Sequence, residues 1–283
     1  MADLSSPVWT CPTCHTEIAS SFCPGCGEKP LDPRDLTMPG LAEQVFNALS
    51  SIDSRLLRSL HDLVVRPGAL TLAYVRGQRR PYLTPIPLFL ICNVIFFAVQ
   101  SLTDLKIFAP ILDDQITTQP LSDLARAMMT DRLTGLGTGL DQYRPLFNQA
   151  EASNAKTLIG LMMLPFALVP PLLFWRLHRP MAVHVVFSLH FYAFLLLLFC
   201  VPLLLVAGAG LFGFPSRLDN DVDTALSWAL LIACAAYFHT ATGVVYGMRG
   251  IKQLGAALAM TVAGAFIFLG YRFVLFAITL YTT

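Results

Sequence analysis

The sequence predicts an all-α integral membrane protein, a five-helix transmembrane bundle preceded by a small cysteine-rich module. Three observations predict it. Charged residues make up 13% of the 283 and hydrophobic residues 55%, about half the charge density that clothes a soluble globule. Five apolar stretches reach or exceed the roughly 20 residues that cross a bilayer as a helix. Four of the seven cysteines crowd into residues 11–26, ahead of every apolar stretch. The net charge of +1, from 19 Lys+Arg against 18 Asp+Glu, excludes a nucleic-acid binder that works through bulk basicity. The opening MADLSSPVW lacks the basic and apolar regions of a cleavable signal peptide.

Residues 11–26 read CPTCHTEIASSFCPGC and are followed by Gly27, two C-x2-C pairs separated by eight residues. Each pair sets two sulfurs on one tight turn, and two such turns facing each other make a tetrahedral S4 site. Thiolates in that geometry favour zinc, with iron the next candidate. Cys11, Cys14, Cys23 and Cys26 are therefore the expected metal ligands of a zinc ribbon over residues 1–28. A closed S4 set leaves no open coordination position, so the Zn2+ is structural. The spacer is too short to build a core, and the metal must supply the folding free energy. His15 is a fifth donor that a complete set does not need. Two disulfides are the alternative, disfavoured where thiols are kept reduced. Trp9, Ile18 and Phe22 either form an apolar contact patch or simply pack on the turns.

Residues 29–39 (KPLDPRDLTMP) read as a polar, proline-rich linker. Over 40–83 the apolar positions Leu41, Val45, Leu49, Ile52, Leu56, Leu60 and Leu63 recur every three or four residues, a helical stripe. It is too polar to span, and suits a helix on the membrane surface or against the cytosolic ends of the spans. Pro67-Gly68 ends it, and Leu70–Gln78 is expected to form a second short helix. Arg76, Arg79, Arg80 and Tyr82 precede the first apolar run. They are expected headgroup-layer anchors, the other reading being an anionic-lipid or phosphate site.

The membrane domain is placed at 84–283, with spans near 84–102, 157–176, 182–212, 224–247 and 253–280. Pro165, Pro170 and Pro171 should bend the second and Pro202 the third. Arg55, Arg58, Arg66 and the three later arginines precede the first span, Arg176 and Arg179 follow the second, and Arg249 and Lys252 follow the fourth. The positive-inside rule then puts the N-terminus in the cytoplasm and Thr283 outside. The long loop 103–156, with seven acidic and five basic residues, falls outside and is expected to form a small cap. Leu121–Met129 has helical spacing, and GLGTGL at 135–140 is a flexible break.

Ionisable groups at membrane depth are costly and therefore informative. Asn93, His190 and His239 each lie about eight or nine residues from the cytosolic end of their span, roughly 12–14 Å in. Facing one another they would form a polar cluster. Otherwise each histidine bonds a carbonyl of a neighbouring helix. His184 reads as an interface anchor, Arg272 as a charge that reaches outward to headgroups, and Cys92, Cys200 and Cys234 as small apolar residues.

Taken together, Cys11 to Gly27, then Asp53, Pro67, Gly68, Tyr74, Gly77, Arg79, Tyr82 and Pro85 resemble an uncharacterised bacterial family of membrane proteins classed as a domain of unknown function. The resemblance implies a bacterial inner (plasma) membrane and ends at the first span. Three functions stay open. An accessory or scaffold component would recruit a protein partner through the ribbon. A lipid or small-molecule transport component would use the bundle's polar cluster, and would need a partner or homo-oligomer. An intramembrane enzyme comes last, because no acid pair, HExxH, GxSxG or phosphate loop is present; no enzyme activity is expected.

Overall fold

The computed structural model describes residues 8–11, 16–25, 55–78, 81–103, 106–117, 119, 121–211 and 220–283. They fall into two units, one within Met1–Ser54 and one within Arg55–Thr283. In the first, β1 (Trp9–Thr10) pairs antiparallel with β2 (Glu17–Ile18), Trp9 opposite Ile18. The linker 29–39 and the first part of the amphipathic segment lie outside the described residues.

The second unit is helical. The amphipathic stripe folds as α1 (residues 55–65), and after a Pro67-Gly68 turn comes α2 (Ala69–Val75). Neither lies apart from the bundle. α2 packs on both α9 (Met181–Leu211) and α10 (Asn220–Tyr246), so this stretch sits against two of the long helices.

Among the described residues, four helical stretches are long and apolar enough to cross a membrane: Leu140–Leu173, Met181–Ala209, Asp221–Tyr246 and Gly250–Thr282. The first expected span is shorter than its apolar run, and this corrects the count from five to four by length. α3 covers Pro85–Gln100, 16 residues or about 24 Å, against a hydrocarbon thickness of about 30 Å. Thr84 is extended and Pro85 opens the helix, while Ser101–Thr103 turn away at its end. α3 nevertheless carries the chain along the bundle. Pro85 shares a crevice with His190, whereas Phe108, beyond the helix, packs edge-on against Phe199 and Phe268 at 5.5 and 5.6 Å.

The second expected span is the distal part of a longer stretch. α6 (Leu140–Leu158) runs into a 3-10 turn at Ile159–Met162, then α7 (Met163–Ala167) and α8 (Val169–Leu173). Pro165, Pro170 and Pro171 fall in these short pieces, as expected of residues that lack an N–H and crowd the preceding turn. α9 by contrast stays one helix through Pro202. α11 (Gly250–Thr282) packs along α10 and against α6.

Phe166 is the centre of the core, fully buried, stacked on Phe191 and Phe238 at 5.0 and 5.6 Å and edge-on to Tyr192. Cys92, Cys200 and Cys234 are buried in the same apolar cluster. Outward faces are apolar too: Val201, Leu204, Ile232, Leu258, Val262 and Phe266 are all exposed. A water-facing surface would not carry such a band, and it agrees with a multi-pass membrane protein. Loop 103–156 folds as α4 (Leu112–Thr117), α5 (Ser122–Leu136) and α6. Gly137 ends α5 in the left-handed conformation at φ 65°, where glycine pays no Cβ penalty. Leu112, Tyr143 and Phe147 form a second small core with Phe276 and Leu280 of α11.

Candidate functional site

The two-stranded unit brings Cys11 and Cys23 into one buried cluster with Ile18, and Trp9 packs against it. The Cys11 N–H donates to the Thr16 carbonyl at 2.9 Å, and the Trp9 indole N–H to the Ser20 carbonyl at 2.9 Å. Of the three expected patch residues, Ile18 is buried, Trp9 half-buried and Phe22 exposed; Val8 is exposed as well. Cys14, Cys26 and His15 lie outside the described residues. Among the described residues no three His, Cys, Asp or Glu side chains gather. Cys11 and Cys23 are the two of the four expected ligands that the described residues contain.

A second constellation is built by α1, α2 and the start of α3. Asp62, buried on α1, accepts a hydrogen bond from the Tyr82 hydroxyl at 2.8 Å and lies 3.0 Å from His61 Nδ1. Ser59, fully buried, accepts the Leu83 N–H at 2.9 Å. These bonds tie α1 to the residues that launch α3. Burial raises the Asp62 carboxyl, but hydrogen bonds from His61 and Tyr82 and the nearby Arg66 guanidinium outweigh it, and the group sits below its ordinary 3.8. Bonding to that carboxylate holds the Tyr82 hydroxyl above its ordinary 10.0. Asp62 therefore contributes stability present above about pH 4 and lost as pH falls through its lower folded value; Tyr82's share is present below about pH 10 and lost as pH rises through its higher one. Tyr82→Phe is expected to cost about 1–3 kcal/mol, the range for orphaning a buried partner. In melts of the detergent-solubilised protein, its deficit against wild type should shrink as pH drops below about 4.

The expected polar cluster is dispersed. His190 is buried, and its Nδ1 lies 2.8 Å from the Thr71 hydroxyl of α2. His239 is exposed, and its carbonyl accepts the Gln253 amide at 2.6 Å. Asn93 is half-buried, and among the described residues no hydrogen bond joins the three. His184 is not an exposed anchor: it is buried, 2.9 Å from the Tyr246 hydroxyl and stacked on that ring. Arg76 is exposed at the end of α2, Tyr82 is turned to Asp62, and Arg79 and Arg80 lie outside the described residues. Thr71→Val keeps the side-chain shape and orphans His190; it should destabilise by about 1–3 kcal/mol, read as a lower melting temperature.

One buried ionisable group lies outside the residues that the sequence singles out. Glu151 of α6 is 1% exposed and accepts the Gln115 amide at 3.1 Å. Its second oxygen, like Arg272 Nε, has no hydrogen-bond partner among the described residues. Gln115 and Arg272 share a cleft of about 30 Å3, room for one water. The signal was present in the spacing, since Tyr143, Phe147, Glu151 and Ala155 occupy one buried face at intervals of four.

Residues 53–97 match the family described as Protein of unknown function (DUF3667). The match covers α1, α2 and nearly all of α3, the part that holds the Asp62–Tyr82 bond and the Gly68 turn. No curated protein and no solved structure matches the chain.

Proposed function

We propose that the protein is an accessory or scaffold component of a bacterial inner membrane, recruiting a protein partner through a cytosolic zinc ribbon at its N-terminus. The observation that carries this reading is the two-stranded unit, with Cys11 and Cys23 buried while Phe22 and Val8 remain exposed. A metal held by Cys11, Cys14, Cys23 and Cys26 would fix that surface without taking part in chemistry. The arginines ahead of α3 support a cytosolic placement. The bundle supports it indirectly: His184 and His190 hold neighbouring helices through Tyr246 and Thr71.

The test is purification of the full chain in detergent under reducing conditions, with bound metal and co-purifying proteins quantified. The reading expects about one zinc per S4 site and a stoichiometric partner that is lost in Phe22→Asp, with zinc retained. Zinc without any Phe22-dependent partner would refute recruitment by this surface.

A further inference from the structure

Between α10 and α11 runs a groove of about 340 Å3, within the range of small-molecule sites, roughly 300–1,000 Å3. Trp228 and Ile232 of α10 and Leu258, Val262 and Phe266 of α11 line it, and all five are exposed. Both helices belong to stretches long and apolar enough to cross a membrane. In a bilayer the groove therefore opens to hydrocarbon and not to water. The small side chains of Ala235 and Ala265 are part of its wall.

The groove ends beside a charge. Leu269 lines both the groove and the cleft that holds Arg272 and Gln119. Leu258, Val262, Ala265, Leu269 and Arg272 succeed one another at intervals of four and three, the spacing of one helix face. Beyond Arg272, Phe276 and Leu280 are packed into the small core shared with α4, α5 and α6, so Arg272 marks where the apolar groove gives way to the folded loop. Its Nε has no hydrogen-bond partner, and among the described residues no carboxylate lies within ion-pair distance of it. A charge at the edge of an apolar band needs a counter-group, and a phosphate meets a guanidinium with two parallel hydrogen bonds. Glu151, Asp114 and Asp223 act on Arg272 electrostatically from farther off. An anionic headgroup would add to that negative charge, whereas a zwitterionic one is neutral overall.

We propose that a zwitterionic phospholipid occupies this groove, with one acyl chain lying between α10 and α11 and its phosphate bound to Arg272. Burial of the chain against the apolar walls supplies affinity, and the guanidinium fixes which end of the lipid lies where. A two-fold dimer through the same face would bring a second Arg272 to the seam in place of an acceptor. The inference is independent of the ribbon and its partner.

The test uses the full chain in detergent, titrated with phosphatidylethanolamine, phosphatidylglycerol or glycerophosphoethanolamine (the headgroup without chains) and read by native mass spectrometry. Wild type should retain phosphatidylethanolamine more strongly than phosphatidylglycerol and should not retain the chainless headgroup. Loss of one charge-assisted contact weakens binding about tenfold, so Arg272→Gln should weaken phosphatidylethanolamine by about tenfold or more. Ala265→Leu leaves Arg272 in place and fills the groove; it should have the same effect by displacing methylenes from the wall. Ala265 is half-buried, so this variant guards against misfolding of the charge variant. Unchanged phosphatidylethanolamine binding in Ala265→Leu, or phosphatidylglycerol held equally well, would overturn the proposal. Glycerophosphoethanolamine bound with equal affinity would assign Arg272 to a soluble phosphate ester and overturn the lipid. A lipid-free dimer that Ala265→Leu dissociates would give the groove to a second copy and overturn it as well.

Discussion

Cys23→Ser is expected to unfold the two-stranded unit and leave the melting of the helical unit unchanged. Among the described residues, two strands of two residues each cannot hold a fold by hydrogen bonding, and a buried cluster of Cys11, Ile18 and Cys23 is far below the core a domain needs. In the proposed ribbon the metal supplies the difference, about 10–16 kcal/mol apparent for structural zinc. A serine oxygen in place of one thiolate removes most of it. The reporter is hydrogen exchange at the Cys11 amide, which is bonded to the Thr16 carbonyl. Protection should vanish in Cys23→Ser and on chelation of the wild type. Protection that survives chelation would mean that something other than a metal holds these residues.

Gly68→Ala is the largest effect expected in the helical unit. Gly68 has φ +86°, and a Cβ there would lie 3.0 Å from Ala241 Cα, 3.1 Å from its carbonyl oxygen and 3.2 Å from Val244 Cβ. A left-handed L-residue costs about 1–2 kcal/mol and overpacking about 1–3 more, so a loss of about 2–5 kcal/mol is expected. The obstacle is backbone on α10, which no rotamer change relieves. Gly77, also left-handed at φ +78° but with nothing within 4 Å, is the control: Gly77→Ala should cost only the conformational part. Equal melting temperatures for the two variants would show that α2 does not sit as closely on α10 as described.

Helix positions were readable wherever apolar runs end at prolines, glycines or charges. α9, α10 and α11 fall within a few residues of their expected bounds. Depth was not readable, because counting from span ends cannot know what packs there. His190 and His239 looked equivalent by count, yet α2 covers one and leaves the other exposed. Length misled at α3, where an apolar run continues past both ends of the helix that it forms. Glu151 is hard to see because it is the one ionisable residue among Tyr143, Phe147 and Ala155 on the buried face of a helix whose mean composition is polar. The proposed ribbon is the reverse case: its cysteine spacing is legible in the chain, and two of its four expected donors lie outside the described residues.

The contact of Gly68 with Ala241 also sets a schedule for biogenesis. The two residues are about 170 positions apart, and a ribosome working at about 5–20 residues per second needs roughly 10–35 seconds to travel between them. During that interval α1 and α2 have been made but their seat on α10 has not. The nascent chain therefore holds α1 and α2 without their seat while α3, the Leu140–Leu173 stretch and Met181–Leu211 are made behind them. Docking of α2 therefore waits until α10 has been made, however early its own helix forms.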